Sequence, residues 1–179
     1  TSLNEVHIPD GTSVLTGAVF KDCIGLNEIH IPDSVFKLEY GVFEGCENLK
    51  KIHVPSGLTE LGDGVFAGCK SLTDIELPET LTHIGADAFS GCSGLKEIMI
   101  PKAVCSIGCN AFENCNKLYT IILPEKVTTI NHKTFYGCSE LDEIVASKEI
   151  ISVGSVVFTG TPWLAKQVEE NGMAYIGRV

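Results

Sequence analysis

The chain has 179 residues, of which 20% are charged, and a formal net charge of −10 at pH 7. Because nucleic acids and anionic membranes bind proteins through clustered lysine and arginine, this acidic balance argues against both classes of partner. The sequence contains no run of about 18 apolar residues, so it predicts no segment that spans a membrane.

A 23-residue repeat runs through nearly the whole chain. Its best copy, Leu72 to Gly94, follows the consensus LxxIxIPxxVxxIGxxAFxxCxx. A fixed period of about 20 to 29 residues that opens on leucine predicts a leucine-rich-repeat solenoid, here an α/β right-handed superhelix with one short parallel strand per coil. We number the coils 1 to 7 by their first residues, which are Leu3, Leu26, Leu49, Leu72, Leu95, Leu118 and Leu141. The chain begins within a repeat, so we expect the array to be part of a longer protein.

Most coils contain an apolar-x-apolar triplet followed by proline, as in Ile29-His30-Ile31-Pro32. Because side chains alternate along a strand, the two flanking residues should face the core and the middle one should face outward, on the concave side of the solenoid. Equivalent triplets should stack as one parallel sheet with strands about 4.8 Å apart. Proline has no amide hydrogen, so it should end each strand.

Two more columns follow the triplet on the return path of each coil. Glycine and asparagine tolerate positive φ, so one slot predicts a left-handed turn. The stretch that ends in Ala-Phe-x-x-Cys, such as residues 88–92, predicts a helical turn that buries its phenylalanine. The first slot contains Gly62, Gly85, Gly108, Gly154 and once Asn131, whereas Thr16 and Glu39 depart from it. The phenylalanines are Phe20, Phe43, Phe66, Phe89, Phe112, Phe135 and Phe158.

The last residues, 161–179, depart from the repeat and predict a cap that follows the seven repeats of residues 1–160. Thr161 should cap a short amphipathic helix that begins at Pro162 and ends at Gly172. Residues 173–176 could add one more strand. Trp163 should cover the open end of the last coil, with stacking against a ligand as the alternative.

The repeated unit LxxIxIPxxVxxIGxxAFxxC closely resembles the BspA-like leucine-rich repeats of bacterial surface proteins, and the Thr161-Pro162-Trp163-Leu164 tail is similar to the ending of such arrays. The last copy departs from the motif at Ser147, in place of proline, and at Thr161, in place of cysteine. The resemblance implies an extracellular or cell-surface location and, as in some members, adhesion to host matrix or plasma proteins such as fibronectin and fibrinogen. It brings no catalytic residues with it.

Six cysteines share one slot of the repeat, and two lie outside it. Equivalent residues on neighbouring coils lie about 5 Å apart, whereas disulfide Cβ atoms lie ~3.5–4.5 Å apart, so the column predicts a ladder of buried thiols. Ligands in a line do not suit tetrahedral zinc. Cys105 and Cys109 flank Gly108, where a disulfide, an exposed reactive pair or two ordinary thiols all remain open. The column consists of Cys23, Cys46, Cys69, Cys92, Cys115 and Cys138.

The middle residue of each triplet is not fixed by the repeat, so this column is the candidate ligand-binding surface. It consists of His7, His30, His53, Glu76, Met99, Ile122 and Val145. Three imidazoles about 5 Å apart could share a metal or become charged together below about pH 6.5, or they could form a solvated polar stripe. The three apolar residues, with Tyr119 nearby, predict an exposed apolar strip, which is typical of an interface unless the C-terminal tail or a neighbouring domain covers it.

The next free column is mostly acidic and favours a basic or mixed-charge protein partner. Its members are Glu5, Glu28, Lys51, Asp74, Glu97, Thr120 and Glu143.

The sequence favours a non-catalytic protein-binding or adhesion module, because a repeat scaffold offers a broad surface. The alternative is a structural spacer or stalk that displays other domains of a longer protein. An enzyme is disfavoured, since the sequence contains no Gly-x-Ser-x-Gly, no His-Glu-x-x-His and no phosphate-binding loop. We expect no cofactor and no bound metal.

Overall fold

The structure is a computed structural model that describes residues 6–146 and 150–171 of the chain. Several predictions fall outside these ranges: Glu5 of the acidic column, the helix end at Gly172 and the strand at residues 173–176. Within the described ranges the chain forms a solenoid of short parallel strands that ends in one helix, as the repeat predicted. No helix in these ranges is both long enough and apolar enough to cross a bilayer.

The strands come from two positions of the repeat. The triplet segments form β2 (Glu28–His30), β4 (Lys51–His53), β8 (Thr120–Leu123) and β10 (Glu143–Ala146). The residues just before the glycine slot form β1 (Val14–Leu15), β3 (Lys37–Leu38), β5 (Glu60–Leu61), β6 (His83–Ile84), β7 (Ser106–Ile107), β9 (Thr129–Ile130) and β11 (Ser152–Val153). The helix is α1 (Pro162–Asn171).

The triplet strands do not form the single continuous sheet that we expected. Instead β2 pairs with β4 and β8 pairs with β10, with residues 23 apart in register, such as His30 with His53. Coils 4 and 5 lie between these pairs, and their triplets form no strand. In register, Asp74 of coil 4 would stand opposite Glu97 of coil 5, and like charges directly opposite each other disfavour strand pairing.

A second ladder, which the sequence analysis did not predict, lies before the glycine slot. Strands β1, β3, β5, β6 and β7 form one parallel sheet, and β9 pairs separately with β11. In most of these strands one residue is exposed and the next is buried, as with His83 and Ile84. Because β7 and β9 are not paired, neither ladder joins coil 5 to coil 6 among the described strands.

The prediction of a left-handed turn at the glycine slot is wrong. None of the four glycines there has positive φ. A Cβ atom on Gly85 would instead lie 2.7 Å from the carbonyl carbon of Gly62 and 2.8 Å from the backbone nitrogen of Asp63. Glycine is needed at this slot because the backbones of neighbouring coils approach closely. The left-handed residues lie two and six positions later, at Asp87 (φ 56) and Gly91 (φ 71) in coil 4.

The core is built from side chains that stack on their own counterparts. Phenylalanine rings of successive coils are nearly parallel, with centroids 5.4 to 5.9 Å apart. The turns that carry them are joined by backbone hydrogen bonds between coils, such as Phe89 N–H to Ala111 C=O at 2.8 Å. The prediction that the phenylalanine column is buried is confirmed for Phe43 to Phe158, while Phe20 is half-buried.

The cysteine column is buried, as predicted, and the eight cysteines form no disulfide in the structure. Its thiols also do more than fill space. Each from Cys46 to Cys138 donates a hydrogen bond to the carbonyl oxygen of the phenylalanine in the preceding coil, at 3.0 to 3.2 Å. Burial disfavours the thiolate and raises the pKa of Cys46 to about 11 and that of Cys138 to about 12. These thiols are therefore poor nucleophiles at neutral pH.

The C-terminal helix begins as the sequence predicted. The hydroxyl oxygen of Thr161 accepts a hydrogen bond from the Leu164 N–H at 3.2 Å and donates one to the Phe158 carbonyl at 2.7 Å. Trp163 is buried, and its ring centroid lies 4.7 Å from that of Phe158. It thus covers the end of the phenylalanine column, which leaves no exposed face for stacking on a ligand. The division of the chain at residue 160 stays a prediction.

Replacing Thr161 by alanine should lower the free energy of unfolding by about 1 kcal/mol, because it removes the N-cap of α1. Urea titration followed by circular dichroism measures the change. Thr159→Ala is the matched control, since Thr159 is exposed and its structural hydrogen bonds involve the backbone alone. Equal midpoints for the two variants would contradict a capping role.

Candidate protein-binding face

The predicted binding column lies on one face of the solenoid, which we call the triplet face. It is defined by the middle residues of the triplets: His7, His30, His53, Glu76, Met99, Ile122 and Val145. All of these side chains are exposed except Val145, which is half-buried. Pairing within β2–β4 and β8–β10 fixes them in register, so His30 lies beside His53 and Ile122 beside Val145.

The histidine half of the face is partly ordered by ring stacking. The imidazoles of His30 and His53 are nearly parallel, with centroids 4.7 Å apart, and Nε2 of His53 lies 3.8 Å from a carboxylate oxygen of Asp33. The Ser56 backbone N–H donates to that oxygen at 3.1 Å, which lowers the pKa of Asp33 together with the Ser56 hydroxyl and the nearby imidazoles. Within the described ranges, no group of three or more His, Cys, Asp or Glu side chains could hold a metal ion. The described residues therefore do not assemble the three-histidine metal site that the spacing left open.

An open concavity of about 710 Å³ lies where the triplet ladder is interrupted. Its walls are β2 and β4 on one side and residues 74–80 of coil 4 on the other. His30, His53, Asp74 and Glu76 contribute polar and charged side chains to it. The concavity therefore offers hydrogen-bonding and acidic side chains. They lie next to the triplet backbone of coil 4, which is not paired with a neighbouring strand.

The other half of the face is apolar and solvent-accessible. Met99 is 81% exposed, Ile122 is 58% exposed and Tyr119 is 54% exposed. Together with Val145 they form the apolar strip that the sequence predicted. Contact of such aliphatic and aromatic surface with water is unfavourable, so burying it against a partner would lower the free energy.

The described part of α1 reaches the edge of the apolar strip and does not cover it. Lys166 of α1 donates a hydrogen bond to Asp142 at 2.7 Å, and the Tyr119 hydroxyl donates to the same carboxylate at 3.2 Å. The Lys166 ammonium group lowers the pKa of Asp142. Met99 and Ile122 remain exposed beside this cluster.

Sequence reasoning missed two exposed aromatic residues and one side-chain contact in or beside the second ladder. Phe36 and Tyr40 are exposed there beside a second concavity of about 550 Å³. Near the same sheet, Cys105 lies against His83. A signal in the sequence marks Phe36 and Cys105, because they interrupt a column of mostly hydroxyl residues: Ser13, Phe36, Thr59, Thr82, Cys105, Thr128 and Ile151.

Comparisons with known proteins identify the family to which the 23-residue repeat belongs. The family model for the BspA type leucine rich repeat region matches residues 1–118 and 59–178, in six copies. The chain belongs to the BspA-type leucine-rich repeat family. Proteins built from such repeats are generally non-enzymatic and commonly mediate protein interactions, which fits the surface features of this BspA-type array.

Solved structures of bacterial leucine-rich repeat proteins are similar to this BspA-type array. The T. pallidum leucine rich repeat protein TpLRR is 32% identical, with a TM-score of 0.83, over 95% of this chain and 81% of that one. A leucine rich cell surface protein from Faecalibacterium prausnitzii A2-165 is 26% identical, with a TM-score of 0.63, over 85% of this chain and 50% of that one. A search of curated proteins found no match.

Proposed function

We propose that this BspA-type array is a non-catalytic protein-binding module of a secreted or cell-surface bacterial protein and that it binds through the triplet face. The observation that carries the proposal is the apolar strip formed by Met99, Tyr119 and Ile122, which are exposed, and by Val145, which is half-buried. Met99, Ile122 and Val145 occupy the same position in three consecutive coils, so the strip offers apolar surface on one face, which is typical of an interface.

The charges around the strip indicate what kind of partner fits. Glu76, Glu97 and Glu143 are exposed beside it, and the chain as a whole carries a net charge of −10. A segment with apolar side chains flanked by lysine or arginine would bury the strip and neutralise these carboxylates. Long-range attraction to a basic partner would also raise the association rate.

The proposed location and partner class rest on the family. The cell-surface protein from F. prausnitzii and the resemblance to BspA-like adhesins support an extracellular or cell-surface location for this array. Host extracellular matrix and plasma proteins are accordingly the first partners to test. A spacer or stalk that displays other domains is the second candidate, and the regularity of the ring stack, which makes a stiff rod, favours it.

The test is surface binding of the purified protein to a panel of host extracellular proteins and mucin glycans. A triple variant with Met99, Ile122 and Val145 replaced by serine should lose saturable protein binding, because all three changes remove apolar contact area from the face. A matched control replaces Phe36, Ile151 and Val153 by serine. These residues are also apolar and exposed but lie in or beside the second ladder, so binding should persist.

The outcomes of this test separate the candidate functions. Loss of binding in the first variant alone supports an interface on the triplet face. Loss in the control alone, or in neither variant, would move the interface elsewhere. No binding to any member of the panel would favour the spacer and contradict an adhesion role toward these partners.

A further inference from the structure

We propose that Cys105 is a thiol modification site that forms mixed disulfides with low-molecular-weight disulfides, with His83 as the acceptor of the thiol proton. This site is separate from the triplet face and does not depend on the function proposed for it. The proposal rests on the contacts among three side chains on neighbouring coils.

The second ladder brings the three groups together. Glu60 of β5 and His83 of β6 are register partners, and Cys105 directly precedes β7, the next strand of the sheet. The Cys105 Sγ atom lies 3.8 Å from Nε2 of His83, and a carboxylate oxygen of Glu60 lies 3.9 Å from Nδ1 of the same ring. A thiol, an imidazole that can accept its proton and a nearby carboxylate thus follow one another across three coils.

The hydrogen bonds of Thr82 indicate which nitrogen of the neutral His83 ring carries the hydrogen. The Thr82 hydroxyl donates its single hydrogen to the Thr59 carbonyl at 2.9 Å. It also lies 2.8 Å from Nδ1 of His83, where it can therefore act only as an acceptor. With the hydroxyl hydrogen on the Thr59 carbonyl, Nδ1 carries the ring hydrogen, an arrangement that the nearby Glu60 carboxylate also favours. In the neutral ring the lone pair of Nε2 faces Cys105.

The Cys105 thiol has a second acceptor that competes with the imidazole. Its Sγ atom lies 3.5 Å from the Thr82 carbonyl oxygen. Of these two acceptors only the imidazole can take the proton away, because a backbone amide oxygen is far too weak a base. The thiol can therefore rest against the carbonyl and transfer its proton to His83 when it reacts.

The reaction is a thiol–disulfide exchange, in which the incoming disulfide is the only oxidant required. The Cys105 proton moves to Nε2 of His83, and the thiolate attacks one sulfur of the incoming disulfide. A new S–S bond forms to Cys105 as the old one breaks. The second sulfur leaves as a thiolate, which takes a proton from the imidazolium or from water.

The other seven cysteines provide internal controls. The six thiols of the column are buried, so a dissolved disulfide does not reach them in the folded protein. Cys109 is exposed on the same coil as Cys105, but no side-chain hydrogen bond involves its sulfur in the described structure. Cys109 is therefore the matched comparison, because it is exposed on the same coil and its sulfur makes no described hydrogen bond to a ring nitrogen.

The experiment uses oxidised glutathione on the folded chain, with peptide mass mapping of the initial rates at Cys105 and Cys109. We expect Cys105 to react about threefold faster than Cys109 or more, because the neighbouring imidazole can accept the thiol proton as the sulfur attacks. His83→Gln should reduce the rate at Cys105 to that of Cys109 and leave Cys109 unchanged. His132→Gln is the matched histidine control, since His132 is exposed and contacts Ser155 instead.

Three results would overturn the proposal. The first is an equal rate at the two cysteines in the unmodified sequence. The second is a His83→Gln variant in which Cys105 reacts as fast as before while circular dichroism shows a native fold. The third is an intrachain disulfide between Cys105 and Cys109 as the main product, which would replace the mixed disulfide.

Discussion

Replacing Phe89 by alanine should lower the free energy of unfolding by about 3–5 kcal/mol, which is the typical range for a fully buried aromatic side chain. Phe89 has no exposed surface, and its ring stacks on Phe66 and on Phe112 at 5.4 Å on both sides. The truncation removes apolar contacts to both neighbouring coils and leaves a cavity that the stacked backbone cannot easily close. Thermal and urea unfolding followed by circular dichroism measure the loss.

Two controls distinguish core packing from a general effect of substitution. Thr73→Ala should be nearly silent, because Thr73 is exposed and its side chain bonds only to the neighbouring Asp74. Phe20→Ala should cost less than Phe89→Ala, since Phe20 is half-buried and has a described ring partner only at Phe43. Equal thermal midpoints for the Phe89 and Thr73 variants would remove the claim that the phenylalanine column is the core.

The second large effect is expected at Gly85, where a single added methyl group should cost about 1–3 kcal/mol. The new Cβ atom of Gly85→Ala would meet the backbone of Gly62 and Asp63 at 2.7 to 2.8 Å, and backbone cannot rotate away as a flexible side chain can. Coil 4 would have to shift from coil 3, which would strain the Gly85 N–H to Leu61 C=O bond of 2.9 Å. Urea titration measures the cost.

Gly57→Ala is the matched control for this prediction. A Cβ atom there would have no heavy atom within 4 Å, and Gly57 does not have positive φ. We expect it to be neutral or slightly stabilising, because alanine restricts the unfolded chain more than glycine does. A Gly85 variant as stable as the Gly57 variant would show that the coils can separate without cost.

The sequence predicted the core well because the period itself defines the contacts. In a stacked array, each side chain packs on its counterpart one repeat away, so the columns of Phe89 and Cys92 indicate both burial and partner. The capping role of Thr161 and the covering role of Trp163 could be predicted for a similar reason, since the chain leaves the repeat at that point.

The parts that the sequence did not predict depend on distances between backbones. Glycine at position 85 is compatible with either a left-handed turn or a close approach between the backbones of neighbouring coils. The residue type alone does not distinguish these two roles. The strand at His83–Ile84 is only two residues long, too short for an alternation pattern to be visible. The interruption of the triplet ladder at coils 4 and 5 is not visible in the repeat, because both triplets keep the apolar-x-apolar pattern.

The candidate site was predicted as a surface but not as a set of contacts. Exposure of Met99 and Ile122 follows from their place in the middle of a triplet, and the structure confirms it. The stacking of His30 on His53 follows from register. The approach of Cys105 to His83 could not be predicted, because it joins two positions that are 22 residues apart and belong to different columns. Binding itself stays a prediction.

The junction between coils 5 and 6 has a mechanical consequence. Neither ladder crosses it, and Asn131 stands there in the glycine slot, with its side-chain amide donating to the Ile107 carbonyl at 2.6 Å. What holds the junction is the stack of Phe112 on Phe135 and the hydrogen bonds between turns. A pull along the solenoid axis is therefore resisted there by fewer backbone bonds than at the junctions on either side. If the array is stretched between a cell and a surface, we expect coils 5 and 6 to separate first.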